Sequence, residues 1–144
     1  YNYGARKRER IVKAMKLGLF YAFCMLLIGF ALFQLIPETL LSFFNASEEM
    51  LAIGVPALKT ISFSYFLAPI SIITITVLQA LGHGIYSMFI SVGRQLVVLI
   101  PVAFIIATFI GELSLIWWSF PLAELMSVNL GFIFIRKVFK SLDF

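Results

Sequence analysis

The stretch that most constrains this chain is an apolar run, Leu115–Ile135, which reads LIWWSFPLAELMSVNLGFIFI. A helix of about 21 residues is about 31 Å long, which matches the thickness of the hydrocarbon core of a bilayer. One acid, Glu124, interrupts the run near its midpoint. A carboxyl group at that depth is costly to bury and rarely faces lipid, so Glu124 is the first candidate functional residue.

Three more apolar runs of similar length precede this one. Hydrophobic residues make up 62% of the chain and charged residues only 12%, whereas about a quarter of a soluble domain is charged. We therefore predict four membrane spans, at residues 15–36, 54–80, 85–110 and 115–135. Uninterrupted apolar runs cannot be the alternating strands of a barrel, so the predicted fold class is all-α, a polytopic transmembrane helix bundle.

The basic residues predict the orientation of these spans. Six of them lie within residues 1–16 and three follow the last span, whereas the connections at 38–52 and 111–114 contain acids and no basic residue. Under the positive-inside rule both ends of the chain face the cytoplasm, and we expect a multi-pass protein of a bacterial inner or plasma membrane. The basic N-terminal segment leads directly into a span, so its expected partner is the lipid bilayer, with anionic headgroups as a secondary contact, and not nucleic acid.

Polar residues inside the spans suggest a cavity. Pro69, in the middle of the second span, predicts a kink. Four hydroxyl residues of that span share one helix face that either packs against another helix or lines a wet cavity: Thr60, Ser64, Ser71 and Thr74. Arg94 lies about ten residues into the third span, where it either snorkels inward or pairs with an acid or an anionic group. The ion-coupling or substrate-cavity candidates are therefore Glu124, Arg94, Gln95, Gln79, Ser64 and Ser71.

The chain lacks the motifs of the common hydrolases, of nucleotide-binding loops and of CxxC redox sites, and it has one cysteine and one histidine. We therefore expect no enzyme, no metal site and no cofactor. Bent helices with a polar cavity and a midplane carboxylate are typical of ion-coupled transport. The simpler alternative is that a hydroxyl group or Arg94 satisfies Glu124, which would then have only a structural role.

Four segments together resemble the multidrug and toxic compound extrusion (MATE) transporters. They are NYGARKRERIVKAMKLGL at 2–19, LLSFFNASEEMLAIGVPALKTISF at 40–63, LQALGHGIYSMFISVGRQ at 78–95 and WWSFPLAEL at 117–125. In the second segment Lys59 stands where Arg is more usual in the family. Because the segments occur in the family's order and spacing, the resemblance covers essentially the whole chain.

The resemblance implies that residues 1–144 are the last four of twelve helices, a partial C-terminal lobe of a larger two-lobed transporter. The remaining helices of the same protein would then precede residue 1 as its partner. The family exports cationic or amphipathic drugs and metabolites by alternating access, so a small-molecule substrate and a proton or sodium as coupling ion are implied. Some members carry an acid in the second span of this piece, but residues 54–80 contain none.

Two other functions remain open at this point. A lipid-linked oligosaccharide flippase of the same superfamily would line its cavity with several basic residues to meet a pyrophosphate. Apart from Lys16 at the edge of the first span, only Arg94 and Lys59 are available. A non-transporting four-span membrane subunit is the third possibility.

Overall fold

The computed structural model of this protein describes residues 1–142, and residues 143 and 144 of the predicted lobe lie outside that range. Every regular element within it is helical, which confirms the all-α prediction. The α-helices are α1 Arg8–Leu35, α2 Pro37–Ser42, α3 Glu48–Ile61, α4 Ala68–Ala80, α5 Gly84–Val92, α6 Ile100–Ile105, α7 Leu113–Ile116 and α8 Ser119–Lys140. A 3₁₀ segment, Ser62–Phe66, follows α3, and π-helical segments at Gly93–Leu99 and Ile106–Ile110 continue α5 and α6.

Three helical stretches of residues 1–142 are long and apolar enough to cross a membrane. They are Arg8–Leu35, Gly84–Ile110 and Leu113–Lys140. A fourth span is present if Glu48–Phe66 and Ala68–Ala80, which meet at a bend of 54°, are counted as one. The helical bundle is therefore confirmed, and its count of four depends on the bent pair.

The helices extend beyond the apolar runs that predicted them. Helix α1 begins at Arg8 and α8 continues to Lys140, because long basic side chains can reach the membrane surface while their backbone stays helical. The prediction of a loop over 38–52 is wrong for most of its length, since it contains most of α2 and the start of α3. Pro37 is the first residue of α2, and the Ser47 hydroxyl caps α3 by accepting a hydrogen bond from the Met50 N–H at 3.2 Å.

The break in the second predicted span is a consequence of Pro69. Proline has no N–H to donate to the carbonyl of Tyr65, and its ring crowds that carbonyl. The chain tightens into the 3₁₀ segment instead, and the Leu67 N–H donates to the Ser64 carbonyl at 3.0 Å. The predicted kink is confirmed as the 54° bend at Leu67.

A small apolar core lies at the end of the bundle that carries the basic residues. It draws side chains from α1, α4, α5, α8 and the turn after α4: Ile11, Leu78, Leu81, Ile90 and Val138. Leu78 and Ile90 are completely buried. Elsewhere large apolar side chains are exposed along the helices, as expected for surfaces that face lipid or other membrane helices.

Aromatic rings hold the opposite end together. The Phe30 ring of α1 lies 5.8 Å from that of Phe63 and 4.8 Å from that of Phe66, both in the 3₁₀ segment. Phe63 also stacks on Trp118 at the start of α8, with ring centroids 5.8 Å apart. The 3₁₀ segment therefore joins α1 to α8, which fixes the bend relative to both helices.

Helices α4 and α8 approach closely at Gly131. A Cβ atom on Gly131 would lie 3.1 Å from Thr74 Cγ2, and the β-branched Thr74 has little rotamer freedom to move aside. We expect Gly131→Leu to lower the stability by about 1–3 kcal/mol through overpacking, measured as thermal unfolding of the purified protein in detergent. Gly84→Leu is the matched control, because a Cβ there would meet nothing within 4 Å; equal unfolding temperatures for the two variants would contradict this account of the contact.

Candidate functional site

The candidate site is built around Glu124, which is buried on α8 with 8% of its surface exposed. Helix α8 packs between α4 and the π segment Gly93–Leu99. Small residues allow both approaches: Gly131 faces Thr74, and a Cβ atom on Gly93 would lie 3.2 Å from Met126 Cε. Such close backbone contacts are typical of membrane helices, and they bring two other elements within reach of the carboxylate.

Each carboxylate oxygen of Glu124 accepts a hydrogen bond from a different element. Arg94 Nη1 donates to Oε1 at 2.8 Å, and Ser71 Oγ donates to Oε2 at 2.6 Å. Both distances are typical of short, charge-assisted hydrogen bonds. Within residues 1–142, Arg94 and Glu124 form the one ion pair.

Ser71 reaches the acid because of the bend. It lies in the first turn of α4, two residues after Pro69, and is 1% exposed. A continuous helix through Leu67 would carry α4 in another direction, so the bend decides whether this hydroxyl faces α8. The hydroxyl also lies 3.5 Å from the Leu67 carbonyl, a weak contact at the break itself.

Arg94 is the second residue of the π segment. There the Ile100 N–H donates to the Gln95 carbonyl, five residues back, in place of the four of an α-helix. Single π turns inside α-helices frequently occur at functional sites, because the wider turn re-aims the side chains that it contains. Here the re-aimed side chain is a guanidinium group that meets the buried acid of α8.

The electrostatics of the pair are asymmetric. The side chain of Glu124 is 10% exposed and that of Arg94 is 34% exposed. Burying a lone carboxylate in an apolar bundle is costly, and the guanidinium group and the hydroxyl offset that cost. Of the two possibilities for Arg94, pairing with an acid is the one found. Both partners that the purely structural alternative requires for Glu124 are present as well.

The three other predicted residues lie outside this arrangement. Ser64 is buried on the far side of the Leu67 break and donates to the Ile61 carbonyl at 2.7 Å. Gln95 follows Arg94 in the chain, but its side chain is exposed, as is that of Gln79 near the end of α4. The hydroxyl stripe of the second span is therefore divided by the bend, and only Ser71 of its two candidate residues meets Glu124.

Two further hydroxyl groups on α8 were not among the candidates. Ser119 and Ser127 are fully buried, and neither Oγ has a hydrogen-bond partner within the described residues. Ser127 lies three residues after Glu124 and so shares its helix face. The spacing of Ser127 from Glu124 can be read from the sequence. Its burial cannot, because the sequence pattern does not show whether a serine within a span faces lipid or protein.

The polar partners of Glu124 are one guanidinium group and one hydroxyl group. Residues 1–142 contain no group of three or more His, Cys, Asp or Glu side chains close enough to hold a metal ion. A carboxylate can bind a proton, a small cation or a positively charged side chain, and the guanidinium group of Arg94 is such a partner. What the arrangement offers chemically is exchange of one positive partner for another.

Comparison with known proteins identifies the family. A family model described as MatE matches residues 1–105, which is well over half of the 144 residues. Ser71 and Arg94 lie within the matched range and Glu124 lies beyond it. Neither the curated proteins nor the solved structures gave a match. The family match and the long apolar helices together show that this integral membrane chain belongs to the MatE family and so to the transporters of the MATE superfamily.

Proposed function

We propose that this chain is part of a secondary-active exporter that exchanges cationic or amphipathic drugs or metabolites for protons or sodium ions by alternating access. The observation that carries the proposal is the buried Glu124, held near the middle of its span by Arg94 and Ser71. An ionisable group at that depth commonly marks an ion or proton pathway. Its two partners come from a bent helix and a π-containing helix, which are elements that can rearrange.

The proposed step is an exchange of the positive charge that faces Glu124. In the arrangement described here Arg94 supplies that charge. A proton or sodium ion that binds the carboxylate neutralises its charge and so weakens the attraction between Glu124 and Arg94. The partly exposed guanidinium group can then turn toward water. A ligand shifts a conformational equilibrium only if it binds the two conformations with different affinity. Binding at Glu124 therefore drives alternating access only if the Arg94–Glu124 pair differs between the inward-open and outward-open conformations.

The rest of the transporter supplies the remainder of the path. We propose that the described helices belong to the C-terminal lobe of a twelve-helix protein of a bacterial inner membrane, with both ends of this piece in the cytoplasm. The large exposed apolar side chains of α1 and α5 support this, because they offer surface to other helices as well as to lipid. In this proposal the substrate binds between the lobes and contacts this chain through its inward-facing polar groups.

A cationic substrate fits these residues better than a pyrophosphate does. A flippase for a lipid-linked pyrophosphate needs positive charge that is free to meet its substrate. Arg94 is already neutralised by Glu124, and Lys59 lies exposed at the aromatic end of the bundle, near Ser62 and Phe63. The charges of the spans therefore favour the exporter over the flippase.

Efflux driven by an imposed gradient tests this function. Membrane vesicles containing the complete transporter and a fluorescent cationic dye would be given a proton gradient, a sodium gradient or neither. We expect dye efflux with one of the two gradients and a fall to the background of transporter-free vesicles when that gradient is collapsed, because ion binding supplies the driving force. Efflux that persists without either gradient, or that requires ATP, would sink the proposal.

A further inference from the structure

The basic residues of the two chain ends meet at one end of the bundle. The guanidinium carbon of Arg8, at the start of α1, lies 6.0 Å from the ring centroid of Phe139 near the end of α8. Lys137 Nζ lies 5.4 Å from the ring centroid of Tyr86 on α5. Nine of the 11 basic residues of the chain belong to residues 1–16 and 136–140. They therefore form one positively charged rim, which we call the basic rim.

A mostly apolar cavity of about 320 Å³ lies between α1, α4 and the N-terminal residues 1–3, beside this rim. The N-terminal residues Tyr1, Asn2 and Tyr3 form one part of its wall. The rest is lined mainly by apolar residues of the two helices: Ile11, Ala14, Met15 and Gly18 on α1, and Ile73 and Val77 on α4. Ile11 also belongs to the core at the basic end, so the cavity lies at the same end as the rim. The one hydroxyl of α4 at the cavity, that of Thr76, donates to the Ile72 carbonyl and needs no further partner.

We propose that this cavity and the neighbouring residues Lys7, Arg8 and Arg10 bind an anionic phospholipid. Lys7 directly precedes α1, and its carbonyl accepts a hydrogen bond from the N–H of the cavity residue Ile11 at 3.3 Å. A phosphate bound near Lys7 can therefore extend an acyl chain along the cavity wall. The volume is near the lower end of the range for small-molecule sites, about 300–1,000 Å³, and suits part of one acyl chain. Each basic residue near the surface of a membrane adds about fivefold to its affinity for anionic lipid, from about 1 kcal/mol.

The charge of the rim selects this occupant over the others. A cationic compound, the substrate class of the proposed function, is repelled by the basic rim, and a neutral lipid gains nothing from it. The lipid site is therefore independent of the proposed export, and a failure of one proposal would not affect the other.

Native mass spectrometry of the complete transporter tests the site. The detergent-solubilised protein would be titrated with phosphatidylglycerol and, separately, with phosphatidylcholine of the same acyl chains. We expect tighter binding of phosphatidylglycerol, and a loss of about 10- to 100-fold in that affinity when Lys7, Arg8 and Arg10 are all replaced by Gln. Ala14→Phe, which fills the cavity, is expected to weaken phosphatidylglycerol binding while the charges remain.

Two matched controls make the result decisive. Lys59→Gln removes a basic residue at the other end of the bundle, and Ala31→Phe adds the same ring at an exposed position of α1 away from the cavity. Neither is expected to change lipid binding. Equal affinities for the two lipids would overturn the proposal. A preference that is lost in the triple Gln variant but kept in Ala14→Phe would overturn it too, since the rim would then act without the cavity.

Discussion

Glu124→Gln is expected to reduce substrate efflux at least tenfold, which corresponds to about 1.4 kcal/mol in the transport barrier, while the transporter remains folded in the membrane. Glutamine has nearly the same shape: its carbonyl oxygen can accept the hydrogen bond from Arg94, and its NH2 group can donate to the Ser71 hydroxyl. It carries no negative charge, however, so neither a proton nor a sodium ion can replace Arg94 as its partner. Dye efflux would be measured in cells with equal amounts of each variant in the membrane, determined by immunoblotting.

The control for this variant is Glu112→Gln. Glu112 is an exposed acid in the short connection before α7, where it accepts a hydrogen bond from Ser114 at 2.7 Å. Its replacement removes the same charge from the chain at a position outside the site, and efflux is expected to be unchanged. Normal efflux by Glu124→Gln would show that Glu124 takes no part in transport and has only a structural role.

Arg94→Leu is expected to cost roughly 2–3 kcal/mol of stability. Removing one partner of a fully buried ion pair costs about 3–5 kcal/mol, because the other charge stays buried and unpaired. The value here is lower because water already reaches Arg94, whose side chain is 34% exposed. Thermal unfolding of the purified transporter in detergent measures the loss. An unchanged unfolding temperature would mean that the pair with Glu124 contributes nothing to the folded state.

The double variant Arg94→Leu/Glu124→Leu separates structure from transport. Replacing a buried ion pair by apolar side chains of similar volume is often neutral or stabilising, and the Ser71 hydroxyl can turn to the Leu67 carbonyl, 3.5 Å away. We expect the unfolding temperature to return close to that of the unchanged protein, with efflux still reduced at least tenfold because the carboxylate is absent. Recovery of efflux together with stability would show that the pair serves only folding.

Local features of the sequence were sufficient to predict the fold class, the break in the second span and the charged residues of the candidate site. The apolar runs predicted an all-helical membrane bundle, because hydropathy acts on each segment separately. Pro69 predicted the break, since proline removes one hydrogen bond of the helix and its ring crowds the carbonyl four residues earlier. Glu124 and Arg94 were recognisable as candidates from their depth in the spans alone. Helix ends were less predictable, because α1 and α8 continue through basic residues that hydropathy assigns to the membrane surface.

The sequence by itself therefore determined which segments are helical, where the second span bends and which charged residues lie at membrane depth. Only the tertiary structure decided which of them meet. Glu124 lies 30 residues from Arg94 and 53 from Ser71, and their contact depends on the 54° bend, the π segment and the close approach of α8 permitted by Gly93 and Gly131. Gln79 and Gln95 have equally suitable chemistry but point away, because the direction of a side chain depends on how whole helices pack.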